Sequence, residues 1–153
     1  MEQPWPQPNP ALRELEFLVG EWDMELSEAA FLPSMSDTVK GRVSFRWVED
    51  GAFLQMQQRE KIAGPPMSVW NIGRDETSGR YAVLYYDGRG VSRIYEMSLE
   101  NGTWKMWRDA PGFAQRYEAA ISSDHNTMHA RWEKNVDGST WLLDFKMTYT
   151  RIG

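Results

Sequence analysis

The sequence contains no cysteine. Disulfides, thiolate nucleophiles and cysteine-ligated metals are therefore excluded together, while nothing about compartment follows. Histidine is nearly as scarce, with 2 in 153 residues, so an imidazole metal site or a histidine-based catalytic relay has few parts to draw on. His125 with Asp124, or His129 with Glu133, could at most hold a surface ion, and solvated side chains with no metal are the expectation. No apolar run approaches the ~20 residues needed to cross a bilayer. The N-terminal "MEQPWPQPNP" lacks the basic and apolar regions of a secretory signal, so a cytoplasmic protein without membrane contact is expected. The net charge is -5 and the basic residues are scattered among acids. Without a basic stripe, nucleic acid is not an expected partner.

Aromatic and thioether side chains, in contrast, are plentiful: 8 Trp, 6 Tyr, 6 Phe and 9 Met. Such bulk fills a core or lines a cavity. A chain of 153 residues fits one domain, spanning 1–153, with enough length to bury roughly two thirds of its unfolded surface. Residues 1–9 read as an extended proline-rich arm, with Trp5 docking on the body. Residues 10–19 carry the marks of a short amphipathic helix: Asn9 as N-cap, Pro10 at the first position, apolar Leu12, Leu15, Leu18 and Val19, and Gly20 as the stop.

From Trp22 onward apolar residues recur at every second position, as in "EWDMEL" and "VKGRVSFRW", and the runs are broken by "EDG", "DGRG", "ENG", "APG" and "DGS". About ten antiparallel strands follow, over residues 21–152. One short helix and a long meander predict an all-β, up-and-down barrel with the helix plugging an end, a two-sheet sandwich being the alternative. Two-residue turns set a register. Asp137-Gly138 places Trp132 opposite Leu143, Ala130 opposite Phe145 and Met128 opposite Met147, with Arg131 facing Asp144 outside and His129 facing Lys146. Asn101-Gly102 pairs Leu99 with Trp104, Met97 with Met106 and Tyr95 with Arg108. "DGRG" sets Leu84 across from Arg93.

"GEW" directly after the helix and "TYTR" on the last strand together resemble the calycin superfamily of lipocalins, fatty-acid-binding proteins and nitrobindin-like barrels. In lipocalins a tryptophan of the first strand lies beneath an arginine of the last, and Trp22 and Arg151 match those positions. The stretches "YYDGRGVSRIYEMSL", "WRDAPGFAQRYEA" and "DGSTWLLDFKMTYTR" are similar to an uncharacterised bacterial group of lipocalin-like barrels. The resemblance implies a calycin-type barrel. In nitrobindin-like members a histidine near the C-terminus reaches a haem; "DFKMTYTRIG" has none, so haem is not an expected cofactor.

Three groups of residues invite a role. Arg151 shares strand parity with Phe145, Met147 and Tyr149. It either caps the barrel over Trp22 by cation–π stacking or, with Tyr149, clamps an anion. Arg93, Tyr95 and Arg108 share a predicted inner face with Leu84, Met97, Leu99, Trp104 and Met106. Guanidinium groups in such a space need an anionic ligand or a protein carboxylate such as Asp87 or Asp109. The opposite face, with Tyr81, Val83, Tyr85, Ile94 and Trp107 inside, is the rival assignment. The glycine loops "DGRG" and "APGF" read as hairpin turns rather than phosphate cradles.

The expected function is non-catalytic binding of a small hydrophobic or amphipathic molecule, neutral or anionic, inside the barrel. Its contacts are expected from Arg93, Tyr95, Met97, Trp104, Met106, Arg108, Tyr117, Phe145 and Tyr149. An enzyme acting on a small reactive species through a bound cofactor is one alternative. A homodimer with no ligand, formed through outward Trp70, Tyr85 and Trp107, is the other.

Overall fold

A computed structural model describes residues 7–60 and 67–153. The predicted arm, with Trp5, lies largely outside the described residues. The Asn9 side chain accepts the Ala11 N–H at 3.0 Å, and Pro10 opens a helix that runs Pro10–Leu18. This helix is of the 3-10 type rather than α. Its buried residues, Leu12, Leu15 and Leu18, recur every third position, which brings them onto one edge of a helix with three residues per turn. Gly20 does not end the helix; it starts the first strand at φ +132°, and a Cβ there would sit 2.2 Å from the Gly153 carbonyl oxygen. Only glycine meets both conditions.

Ten antiparallel strands follow: β1 Gly20–Ser27, β2 Val39–Val48, β3 Phe53–Glu60, β4 Ser68–Arg74, β5 Tyr81–Asp87, β6 Ser92–Glu100, β7 Thr103–Arg108, β8 Ala114–Ile121, β9 Thr127–Asn135 and β10 Leu142–Arg151. Each pairs with its neighbours in sequence, and β1 pairs with β10 to close the barrel. Closure satisfies the edges that an open meander would expose.

The Asn101-Gly102 turn forms with both residues at positive φ, and it pairs Leu99 with Trp104 and Met97 with Met106 as predicted. The other two registers differ. In "DGRG" the Asp87 carboxylate accepts the Arg89 N–H at 2.9 Å and Gly90 takes φ +82°, lengthening the loop so that Tyr85, not Leu84, stands across from Arg93. At the last hairpin Asp137 accepts from the N–H groups of both Ser139 and Thr140, which builds a longer turn. A bulge between Leu143 and Phe145 adds a further shift. Phe145 now faces Trp132, Met147 faces Ala130 and Tyr149 faces Met128, while Arg131 faces Lys146 and His129 faces Thr148. The bulge also turns Asp144 inward, where it is buried, against the outward placement expected for it.

These registers decide the faces. Tyr81 and Val83 are buried with Tyr95, Met97, Trp104 and Met106, and Tyr85 is half-buried on the same side. Leu84, Ile94 and Trp107 are exposed. The inner wall thus combines residues from both predicted assignments. Trp70 is buried in the core rather than outward.

The two ends differ. The helix leucines, Trp22, Leu54, Ile72 and Tyr81 close one end, and the Trp22 indole donates to the Leu18 carbonyl at 2.9 Å. Glu14 of the helix accepts a short hydrogen bond from the Tyr81 hydroxyl, and Arg13 lies 4.3 Å from the Trp47 ring centroid. The other end is formed by the 28–38 loop and the turns after β5, β7 and β9. It remains open.

Candidate ligand-binding site

A cavity of about 650 Å³ occupies the open end. Its apolar walls come from Leu26, Phe31, Met67, Trp70, Phe113, Trp132, Phe145 and Met147, and its polar lining includes Gln58, Ser68, Tyr85, Asp87, Arg89, Arg93, Tyr95, Gln115, Lys134 and Asp144. Alternation explains why one layer is polar. Arg93, Gln115 and Lys134 lie at the mouth ends of strands whose next inward residues are Tyr95, Tyr117 and Trp132, so each strand goes from polar side chain to ring as it descends.

Both acids of the cavity already have cationic partners. Asp87 accepts from Arg89 at 2.7 Å and from the Tyr85 hydroxyl at 2.6 Å. The Arg89 guanidinium holds the Asp87 carboxyl well below the usual carboxylate range, assisted against burial by the Tyr85 hydroxyl and the Arg89 N–H. Tyr85 is pushed up to about 12, first by burial and then by its bond to Asp87. Across the mouth, Asp144 lies 3.7 Å from the Lys134 ammonium.

Arg93 and Arg108 are different. Among the described residues no carboxylate comes within 4.0 Å of either guanidinium. Asp87 is committed to Arg89, and Asp109 is exposed. Arg93 packs 5.1 Å from the Phe113 ring centroid and 5.8 Å from that of Tyr85. Arg108 stands directly opposite Gln115, and its Nε is buried without a hydrogen-bond partner. Between them the buried Tyr95 hydroxyl donates to Gln115 Oε1 at 2.7 Å. That bond occupies the amide oxygen and leaves the amide nitrogen as a donor. Burial raises the Tyr95 pKa, and the side-chain interaction with Arg93, followed by the charges of Arg93 and Arg108, acts against that rise.

Of the residues expected to contact a ligand, Arg93, Tyr95 and Phe145 line the cavity and Arg108 adjoins it. Met97, Trp104, Met106, Tyr117 and Tyr149 lie deeper, packed into the core. The Tyr149 hydroxyl donates to the Met147 sulfur at 3.2 Å, and burial raises the pKa of both Tyr117 and Tyr149. Arg151 is at the sealed end, its guanidinium 4.2 Å from the Trp22 ring centroid. It donates to the carbonyls of Val19 at 2.9 Å, His125 at 3.2 and 3.3 Å, and Phe17. These bonds direct it at main chain, away from Tyr149. His125 packs on Phe17 in the β8–β9 turn at this same end, and His129 is exposed on the outer face of β9. Among the described residues no three His, Asp or Glu gather into a metal-type cluster.

The model of a protein family described as "Protein of unknown function (DUF1579)" matches residues 7–151. The chain belongs to the DUF1579 family. No curated protein matches it significantly. Among solved structures this DUF1579 member is similar to the crystal structure of Rv2717c from M. tuberculosis, at 15% identity and TM-score 0.60, covering 96% of this chain and 100% of that one. At that identity the likeness concerns the fold alone.

Several DUF1579 cavity residues escape a reading by alternation. Asp144 is inward only because of the bulge, and Tyr85 and Asp87 only because the "DGRG" loop is longer than two residues. Gln115 and Trp132 have inward parity, but parity does not separate a cavity wall from packed core, and Trp70, expected outward, lies inside. The Asp87 arrangement has a measurable consequence. Asp87→Asn should cost about 1 kcal/mol or less near neutral pH, since Arg89 is mostly exposed and the pair is screened. The folded carboxyl titrates below the unfolded one, so its stabilisation is complete above the ordinary carboxylate pKa of about 4 and fades as pH falls through the folded value. Urea midpoints of the two proteins should therefore converge in acid. A gap independent of pH would assign Asp87 a purely steric role.

Proposed function

We propose that the protein is a binding barrel for a small amphipathic anion, taken up at the open end with its acidic head between Arg93 and Arg108. The observation that carries this reading is the selective pairing of charge at the mouth. Asp87 and Asp144 each have a cation, whereas among the described residues Arg93 and Arg108 have no carboxylate. Burying a cation without a counter-charge is costly, and a bound anion removes that cost. The apolar lining supplies the remaining affinity, as is usual for pockets of this size. The calycin resemblance of "GEW" and "TYTR" supports the same reading, since those barrels carry ligands inside. We place this binding in the cytoplasm.

Dansylglycine and its methyl ester provide the test, since they differ in the charge of the head. The acid should bind at least about tenfold more tightly than the ester. Equal affinities would remove Arg93 and Arg108 from the site. Native mass spectrometry of the protein purified from its host would show a retained anion directly. A second reading, a homodimer, draws on Leu84, Tyr86, Ile94 and Trp107, which are 43%, 42%, 70% and 37% exposed on the outer face of neighbouring strands. The same spectrum would show the doubled mass.

A further inference from the structure

We infer that the ligand is a flat aromatic acid rather than a fatty acid, a specification that rests on the anion reading above. The first argument is depth. Below the cavity the barrel is filled: Trp104, Tyr117, Met106 and Met128 are 1%, 2%, 1% and 0% exposed, and none of them lines the cavity. The Tyr117 ring lies 4.9 Å from Trp132 and 5.3 Å from Trp104 by ring centroids, so Trp70 and Trp132 form a floor with packed rings beneath. An acyl chain extended along the barrel axis has no channel to enter. Admitting one requires moving rings that sit at the packing density of a protein interior. The space available is wide and shallow.

The second argument is the chemistry of the walls. Tyr85, Tyr95, Trp132 and Trp70 form a continuous edge-to-face series, with interplanar angles of 83°, 63° and 86°. Phe113 and Phe145 stand at the rim. A planar ligand ring can extend such a series through offset or edge contacts, whereas a flexible chain gains only burial and loses more rotamer freedom. The third argument is the head group. Arg93 packs against the Phe113 ring and Gln115 presents an amide nitrogen, a donor set matched to the two oxygens of a carboxylate held in the plane of its ring.

The test compares a naphthalene carboxylate, its methyl ester and undecanoate, which has the same number of carbons as the aromatic acid. Affinities come from calorimetry, with tryptophan quenching as a second readout. The aromatic acid should bind at least about tenfold more tightly than undecanoate and than its own ester. Phe113→Leu, a rim substitution in a half-buried position, should narrow the preference over undecanoate while leaving the preference over the ester in place. Tyr117→Ala, which removes a ring under the floor, should improve undecanoate binding selectively. Should undecanoate match or exceed the aromatic acid while the ester stays weak, the aromatic inference fails and the anion reading survives. Equal binding of acid and ester defeats the anion reading, and the inference falls with it. Binding of none of the three overturns both.

Discussion

Arg151→Met is expected to lower the unfolding free energy by about 3 kcal/mol and to leave affinity for an anionic probe unchanged. The guanidinium of the last strand ties together the helix–β1 junction, through Phe17, Val19 and the face of Trp22, and the β8–β9 turn, through His125, parts of the chain remote in sequence. Methionine can replace part of the stacking on the buried indole. It cannot donate, so the three carbonyls lose their charged partner, and each partly buried orphan adds to the cost. Urea unfolding with an unchanged slope is the measurement. Unaltered stability together with lost probe binding would show instead that Arg151 acts with Tyr149 as an anion clamp.

Arg93→Met is expected to do the opposite. Arg93 has no carboxylate partner among the described residues, and its neighbours are the Phe113 and Tyr85 rings. A methionine keeps much of that packing and removes a partly desolvated charge, so stability should hold within about 0.5 kcal/mol or rise. Affinity for dansylglycine should fall at least about tenfold, and affinity for its methyl ester should change little. A loss of several kcal/mol on unfolding, of the size seen when a buried ion pair is broken, would mean that a protein carboxylate satisfies Arg93.

The barrel was legible because period-two alternation and turn residues agree along nearly the whole chain, and because a meander of that length has one economical closure. The helix was legible in place but not in type. Leucines at 12, 15 and 18 suit a 3-10 edge, yet the same residues with Val19 also suit an α-helical face, and only packing against Trp22 and Tyr81 separates the two. Where a turn's conformation is dictated by its two central residues, as at Asn101-Gly102, register followed from sequence. Where an aspartate side chain recruits several N–H groups, as at Asp87 and Asp137, the loop grew and the register moved. The cavity depended on those movements, which brought Tyr85 across from Arg93 and turned Asp144 inward. Deep residues such as Trp104 and Tyr117 were expected to meet a ligand because alternation reports which side a residue faces, not how far down the barrel empty space extends.

The pairing of both cavity carboxylates, Asp87 and Asp144, with cations also bears on how a ligand arrives. The molecule as a whole carries a charge of -5, so at distances beyond the Debye length of about 8 Å its field offers an approaching anion no steering. Attraction begins only within reach of Arg93 and Arg108. A strongly hydrated inorganic ion gains nothing from the rings and would have to shed its water for two half-buried guanidinium groups, while an organic anion recovers that loss by burying its body against Trp70 and Trp132. On the proposed reading the barrel sorts anions by what is attached to the charge, and added salt should slow capture far less than at a site approached down a long-range positive field.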